Sequence, residues 1–217
     1  MSRDFSLAGL LRSEDDDVNG FPIRALSKSN YDKWIDKLYD DLDSIIRKQI
    51  RPTASFRQNE LEDRFNVELV GYLNCKNYNA SHDKWCNGHP DIYVESTDGF
   101  VWIGESKILR KYDDLLEGFK QLSERYSSGY PNENQGGVLI ISKNRDIGKL
   151  MKNWLKRLES DTWFVSRKLK SSLCSKDEMC FYSIHSHSAT SQNYKVRHMP
   201  VSIYHNPIDK SAVSRKG

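Results

Sequence analysis

The chain has 217 residues, which suits one domain with elaborations. Hydrophobic residues make up 37% and charged residues 29%, and 8 Phe, 11 Tyr and 5 Trp provide a core, which excludes a disordered chain. A net charge of +3 does not by itself announce a nucleic-acid partner, four cysteines are too few for a disulfide framework, and no apolar run is long enough to span a membrane.

Met1 to Asp4 lacks a following apolar segment, so secretion is not expected. With thiols expected to be reduced, the predicted location is cytoplasmic. Residues 1–28, with Glu14-Asp15-Asp16-Asp17, Asn19-Gly20 and Pro22, read as an irregular acidic lead-in holding a short helix at Phe5–Leu11. Residues 29–217 read as a single domain. Ser29 can cap a helix over Tyr31–Ile50, whose stripe is Trp34, Leu38, Leu42, Ile45 and Ile46. Pro52 is expected to end it.

A second helix is predicted from about Phe56 to Leu73, with Leu61, Phe65, Leu69, Tyr72 and Leu73 on its apolar stripe. It carries three acids. At about 100° per residue, Glu60 falls about 140° from the stripe, while Glu62 and Glu68 each flank it at about 60°. Asn59 can cap this helix with Glu62 in the third position. Residues 74–89 read as a loop. Its Cys75, His82, Cys86 and His89 do not match the paired spacings of a zinc site. His89 lies near enough to the next segment to touch a phosphate.

Two β-prone runs follow, Asp91–Glu95 and Phe100–Glu105, joined by Ser96-Thr97-Asp98-Gly99. Asp-Gly between such runs signals a hairpin. Side chains alternate along a strand, so Glu105 and Lys107 share a face and Ser106 faces away. The register can bring Asp91 across from Glu105. Two carboxylates gathered with an ammonium suit a hard divalent cation, which takes oxygen ligands, water and substrate phosphate. The competing reading is an exposed ion pair on a surface hairpin, worth under about 1 kcal/mol.

Pro90-Asp91, thirteen intervening residues, then Glu105-Ser106-Lys107 resembles the signature of the PD-(D/E)xK nuclease superfamily. The resemblance covers roughly residues 59–142. It implies that Asp91, Glu105 and the Ser106 carbonyl ligate Mg²⁺ or Mn²⁺, and that Lys107 assists the attacking water. It also implies a further acid from the preceding helix. Glu62, followed by Phe65, Leu69 and Leu73, matches the family habit best, and Glu68 stands second. The family's Gln-x₃-Tyr element has a near match in Gln121 and Tyr126, but with four residues between them. On a regular helix over Lys111–Tyr126, Gln121 lies opposite the apolar stripe.

Val138–Ile141 reads as a buried strand, and a helix is expected over Asp146–Leu158. Its Lys149, Lys152 and Lys156 share one face, either solvated or turned to phosphate. Thr162–Val165 reads as a strand. Phe181–His187 and Tyr194–Tyr204 read as a hairpin, on which His185 and His187 share a face. With His198 and His205 these are expected to be structural or surface histidines. Asp209–Gly217 reads as a basic tail.

The expected architecture is α/β: a restriction-endonuclease-like core over about 56–166, a mixed central sheet flanked by helices, and a C-terminal β-hairpin extension over 180–205. The resemblance implies a nuclease acting on DNA in restriction, repair or phage defence, with specificity from a homodimer or a partner protein. The rival expectation is a non-catalytic nucleic-acid-binding or scaffold subunit of the same fold.

Overall fold

The computed structural model describes residues 30–206. The expected acidic lead-in, the Phe5–Leu11 helix, the Ser29 cap and the tail from Asp209 lie outside the described residues. Helix α1 (Tyr31–Ile45) is capped by Asn30, whose side chain accepts from Lys33 N. The helical path does not stop at Pro52. It widens into a π turn over Ile46–Ile50 and tightens into a 3₁₀ segment over Arg51–Arg57. Proline is tolerated there because the first turn of a helical segment needs no N–H from it.

Helix α2 (Glu62–Cys75) begins later than its periodicity indicates, with Leu61 in place of Asn59 at the N-cap. The residues before it are already spent on the 3₁₀ segment. Strand β1 (Asn79–Ser81) lies inside the expected loop. Strands β2 (Ile92–Glu95) and β3 (Val101–Ile108) form the expected hairpin, turning at Gly99 with φ +79°. Helix α3 (Tyr112–Lys120) continues as a π turn over Gln121–Tyr126 and leads to β4 (Gln135–Ser142). Helix α4 (Ile147–Glu159) follows.

Thr162–Val165, expected as a strand, lies in a short helix α5 (Thr162–Ser166). The Asp161 carboxylate accepts from Trp163 N and Phe164 N, and this cap overrides the β-prone side chains. Strands β5 (Lys170–Leu173), β6 (Phe181–Ser186) and β7 (Asn193–Ser202) complete one mixed sheet of order β1-β2-β3-β4-β7-β6-β5. The C-terminal hairpin is not an appendage. Strand β7 runs parallel to β4, from Gln135–Lys195 to Ser142–Ser202.

Alternation along the central strands sorts side chains into two cores. Trp102, Leu139, Ile141, Met199 and Val201 pack under α1 and α2. Ile103, Val138, Ile140 and Val196 pack under α3, α4 and α5. Each fully buried aliphatic side chain contributes about 1.5–3 kcal/mol. Polar ties fix α1 in place: Tyr31 Oη donates to Val101 O at 2.9 Å and Tyr39 Oη to Gly136 O at 2.7 Å. The wholly buried Arg197 donates twice to Asp43, each bond 2.9 Å. Removing either partner would strand a buried charge, at about 3–5 kcal/mol. No helix among the described residues is long and apolar enough to cross a membrane.

Candidate active site

Ile92 pairs with Gly104 across the antiparallel β2–β3 ladder, so Asp91, one step outward, faces Glu105. Directly opposed residues share a face. Glu105 and Lys107 point toward α3, as strand alternation predicts, and Ser106 points to the other side. There Ser106 Oγ donates to Asn66 Oδ1 on α2 at 2.6 Å. Asp91 Oδ2 accepts from Ser106 N at 2.8 Å, which fixes the carboxylate against the strand.

The Lys107 ammonium gathers the acids. Nζ lies 2.8 Å from Glu62 Oε1, 3.0 Å from Glu105 Oε1 and 3.9 Å from Asp91 Oδ2. Glu62 occupies the first turn of α2 and reaches around the end of β3, where its Oε2 accepts from Ile108 N at 2.7 Å. Three carboxylates thus come from a helix start, a strand entry and a strand interior. Among the described residues no three or more His, Cys, Asp or Glu side chains are arranged around an ion position. The ammonium itself is the point on which these acids converge.

Burial sets the electrostatics. Glu105 is 3% exposed, and its pKa is pushed up to about 8, first by desolvation and then by the Asp91 charge, against the pull of Lys107. Asp91 is also raised, by burial, although the Ser106 N–H and Lys107 oppose the shift. Burial acts to lower Lys107, but Glu105, Glu62 and Asp91 outweigh it and hold the ammonium charged well above the usual lysine range. Asp91 and Glu105 carry oxygen donors of the type that a hard cation takes.

Gly118 on α3 leaves room for this cluster. A Cβ there would come 2.9 Å from Lys107 Cε and 3.3 Å from Glu105 Cγ.

The extra residue between Gln121 and Tyr126 is absorbed by the backbone. The π turn over Gln121–Tyr126 aligns positions five apart, as a regular helix aligns positions four apart. Tyr126 Oη accordingly donates to Gln121 Oε1 at 3.4 Å. The Tyr126 hydroxyl is raised by burial first and then by the Glu105 charge, against the pull of Arg125. The five-residue offset was readable in the sequence; the π turn that brings the two side chains together was not.

The other singled-out residues fall elsewhere. Arg57 takes Glu68, donating Nη1 to Oε2 at 2.7 Å and Nη2 to Oε1 at 2.6 Å, and Tyr72 Oη also donates to it. The same guanidinium binds Glu60. Of the three acids near the start of α2, Glu62 alone joins the Lys107 cluster. Lys149, Lys152 and Lys156 are exposed on α4. His198 is locked in the core between Trp154 Nε1 and Ser183 Oγ, and His185 and His187 are buried with it, whereas His205 is exposed. All four cysteines are free. His82, weighed in the sequence only as a zinc ligand, is a neighbour of the site: its Nδ1 donates to Asp91 O at 2.8 Å. No protein-family model, curated protein or solved structure matches the chain.

Proposed function

We propose that this chain is a metal-dependent nuclease that hydrolyses phosphodiester bonds, with DNA as its preferred substrate. One observation carries the reading: Asp91 and the buried Glu105 face each other at the end of a hairpin with Lys107 beside them. A scaffold gains nothing from burying like charges together, since the cost is stability. A restriction-endonuclease-like core is the matching fold proposal, supported by the hairpin, the α3 crossover and the parallel β3–β4 pair.

Asp91, Glu105 and the Ser106 carbonyl would hold Mg²⁺ or Mn²⁺, which when bound supplies a more acidic water and stabilises charge on phosphorus. The Ser106 N–H orients Asp91. Lys107 has three N–H donors, of which Glu62 and Glu105 take two. Asp91 at 3.9 Å is beyond hydrogen-bond range, so one donor remains for a water or a phosphate oxygen. Glu62 fixes where that donor points. Gln121 and Tyr126 stand as polar neighbours for the scissile strand. Lys149, Lys152 and Lys156 offer charge to more distant phosphates, and a second copy or a partner chain would supply specificity.

Incubation with plasmid DNA in Mg²⁺, Mn²⁺ or EDTA tests the reading. Cleavage that requires the metal and vanishes in EDTA supports it. DNA binding without cleavage under any metal would instead identify a nucleic-acid-binding subunit.

A further inference from the structure

The loop from His82 to His89, just before Asp91 in the chain, holds a tryptophan out in solvent. Trp85 is 71% exposed, while Trp34, Trp102 and Trp154 are at most 3% exposed. It is the one exposed tryptophan among the described residues, an apolar ring with a polar N–H held where a ligand can reach it.

The loop beneath it is pinned. His82 Nδ1 donates to Asp91 O at 2.8 Å, Asn87 Nδ2 to Arg125 O at 2.8 Å, and Cys86 Sγ to Tyr126 O at 3.3 Å. Cys86 N closes a tight turn on Gly88 O at 2.7 Å. Asp83 and Asn87 take φ of +58° and +52°, a cost repaid by these anchors. The anchors join the loop to the residue that faces Glu105 and to the π turn that carries Gln121 and Tyr126. The Trp85 ring meets His89 in a T-shaped contact at 5.1 Å, and at 71% exposure most of the indole is open to solvent. The exposed Arg125 brings a positive charge to the same loop, its Nε 3.1 Å from where a Cβ on Gly88 would lie.

We propose that Trp85 is a stacking platform for an unpaired nucleobase, so that the strand entering the site is single-stranded or locally opened. The inference rests on the nuclease reading for what brings a strand there. A base inside a duplex has both faces covered by its neighbours, whereas an unpaired base offers a π-face to an indole. A pre-positioned indole loses little freedom on stacking, so the contact is efficient. The Arg125 guanidinium complements a phosphate that flanks such a base. A protein partner or a second copy of the chain would need a broader apolar patch around the ring. The neighbours here are Lys84, Asn87 and His89.

The test uses the full chain in EDTA, so that binding is read apart from cleavage. The probes are a labelled single-stranded oligonucleotide, its perfect duplex, and a duplex with one unpaired base. Trp85→Ala should weaken binding of the single strand and the unpaired-base duplex by about tenfold, with the perfect duplex within about twofold. Trp85→Phe should retain most of the affinity. Saturating single strand should quench tryptophan emission in the parent but not in Trp85→Phe. Equal affinities of parent and Trp85→Ala overturn the inference, as does a parent that binds no oligonucleotide or a dimer that Trp85→Ala dissociates. Metal-dependent cleavage with no role for Trp85 would sink this inference and leave the nuclease reading standing. Trp85-dependent binding without cleavage under Mg²⁺ or Mn²⁺ would do the reverse.

Discussion

Glu62 and Lys107 are tied by a 2.8 Å hydrogen bond, while the other Glu62 oxygen takes the Ile108 N–H. The helix start is thereby stapled to the end of the strand that carries Glu105. Glu62→Gln keeps the bond to Ile108 but loses the charge that steers Lys107. It should fold within about 1 kcal/mol of the parent, and Glu62→Ala should lose about 1–2 kcal/mol. Both should cleave at least tenfold more slowly. Urea melts and cleavage assays on the pair would check this, and a fully active Glu62→Ala would remove it from the site.

Glu105 gives the metal-free protein a pH signature. Its pKa rises from 4.5 to about 8 on folding. A carboxyl raised on folding contributes stability that is complete below 4.5 and is lost as pH rises through about 8. Glu105→Gln mimics the protonated form at every pH. Its melting temperature should match the parent near pH 5 and exceed it increasingly toward pH 8. Parallel curves for the two proteins across that window would show that Glu105 does not hold its proton.

The same proton should leave when a cation arrives. Metal binding at pH 7 is expected to release protons, because the ligand must be a carboxylate. Calorimetric titration with Mg²⁺ or Mn²⁺ in two buffers of different ionisation enthalpy reads this directly. Glu105→Gln, which lacks the ligand, should show weakened binding, and whatever binding remains should carry no buffer dependence.

Lys107→Ala separates charge from ligation. Asp91→Ala and Glu105→Ala should lose metal affinity and cleavage together. Lys107→Ala removes no ligand, so metal affinity should be kept or increased while most turnover is lost. It also leaves three acids without their shared cation. In EDTA it should melt below the parent, and Mg²⁺ should stabilise it more than it stabilises the parent. Parent-like turnover of Lys107→Ala would refute its assigned role.

Gly118→Ala isolates geometry. Alanine is the better helix former by up to about 1 kcal/mol. The new methyl would meet Lys107 Cε at 2.9 Å, where the flexible lysine can yield by moving its ammonium. Cleavage should fall by tenfold or more with a melting temperature near the parent's, because the gain in helix propensity offsets the displaced ammonium and the 3.3 Å contact with Glu105. Equal activity would mean that the position of Lys107 is not critical.

The sequence by itself determined the heart of the site because its grammar is local. Asp98-Gly99 sets the hairpin, the two-residue period puts Glu105 and Lys107 on one face, and the antiparallel register brings Asp91 opposite. The buried run Val138–Ile141 likewise announced a central strand. The short outer strands β1 and β5 were silent. Asn79–Ser81 and Lys170–Leu173 carry little apolar alternation and become strands by pairing with neighbours already in place. The pattern of apolar residues after Glu62 ranked it above Glu68, and the tertiary structure supplies the physical reason. Both flank the α2 stripe at similar angles, but Arg57, a residue before the helix, captures Glu68. Tertiary packing also wound Gln121 and Tyr126 into register and set β7 beside β4. Those outcomes depend on contacts between residues far apart in the chain, which no local period encodes.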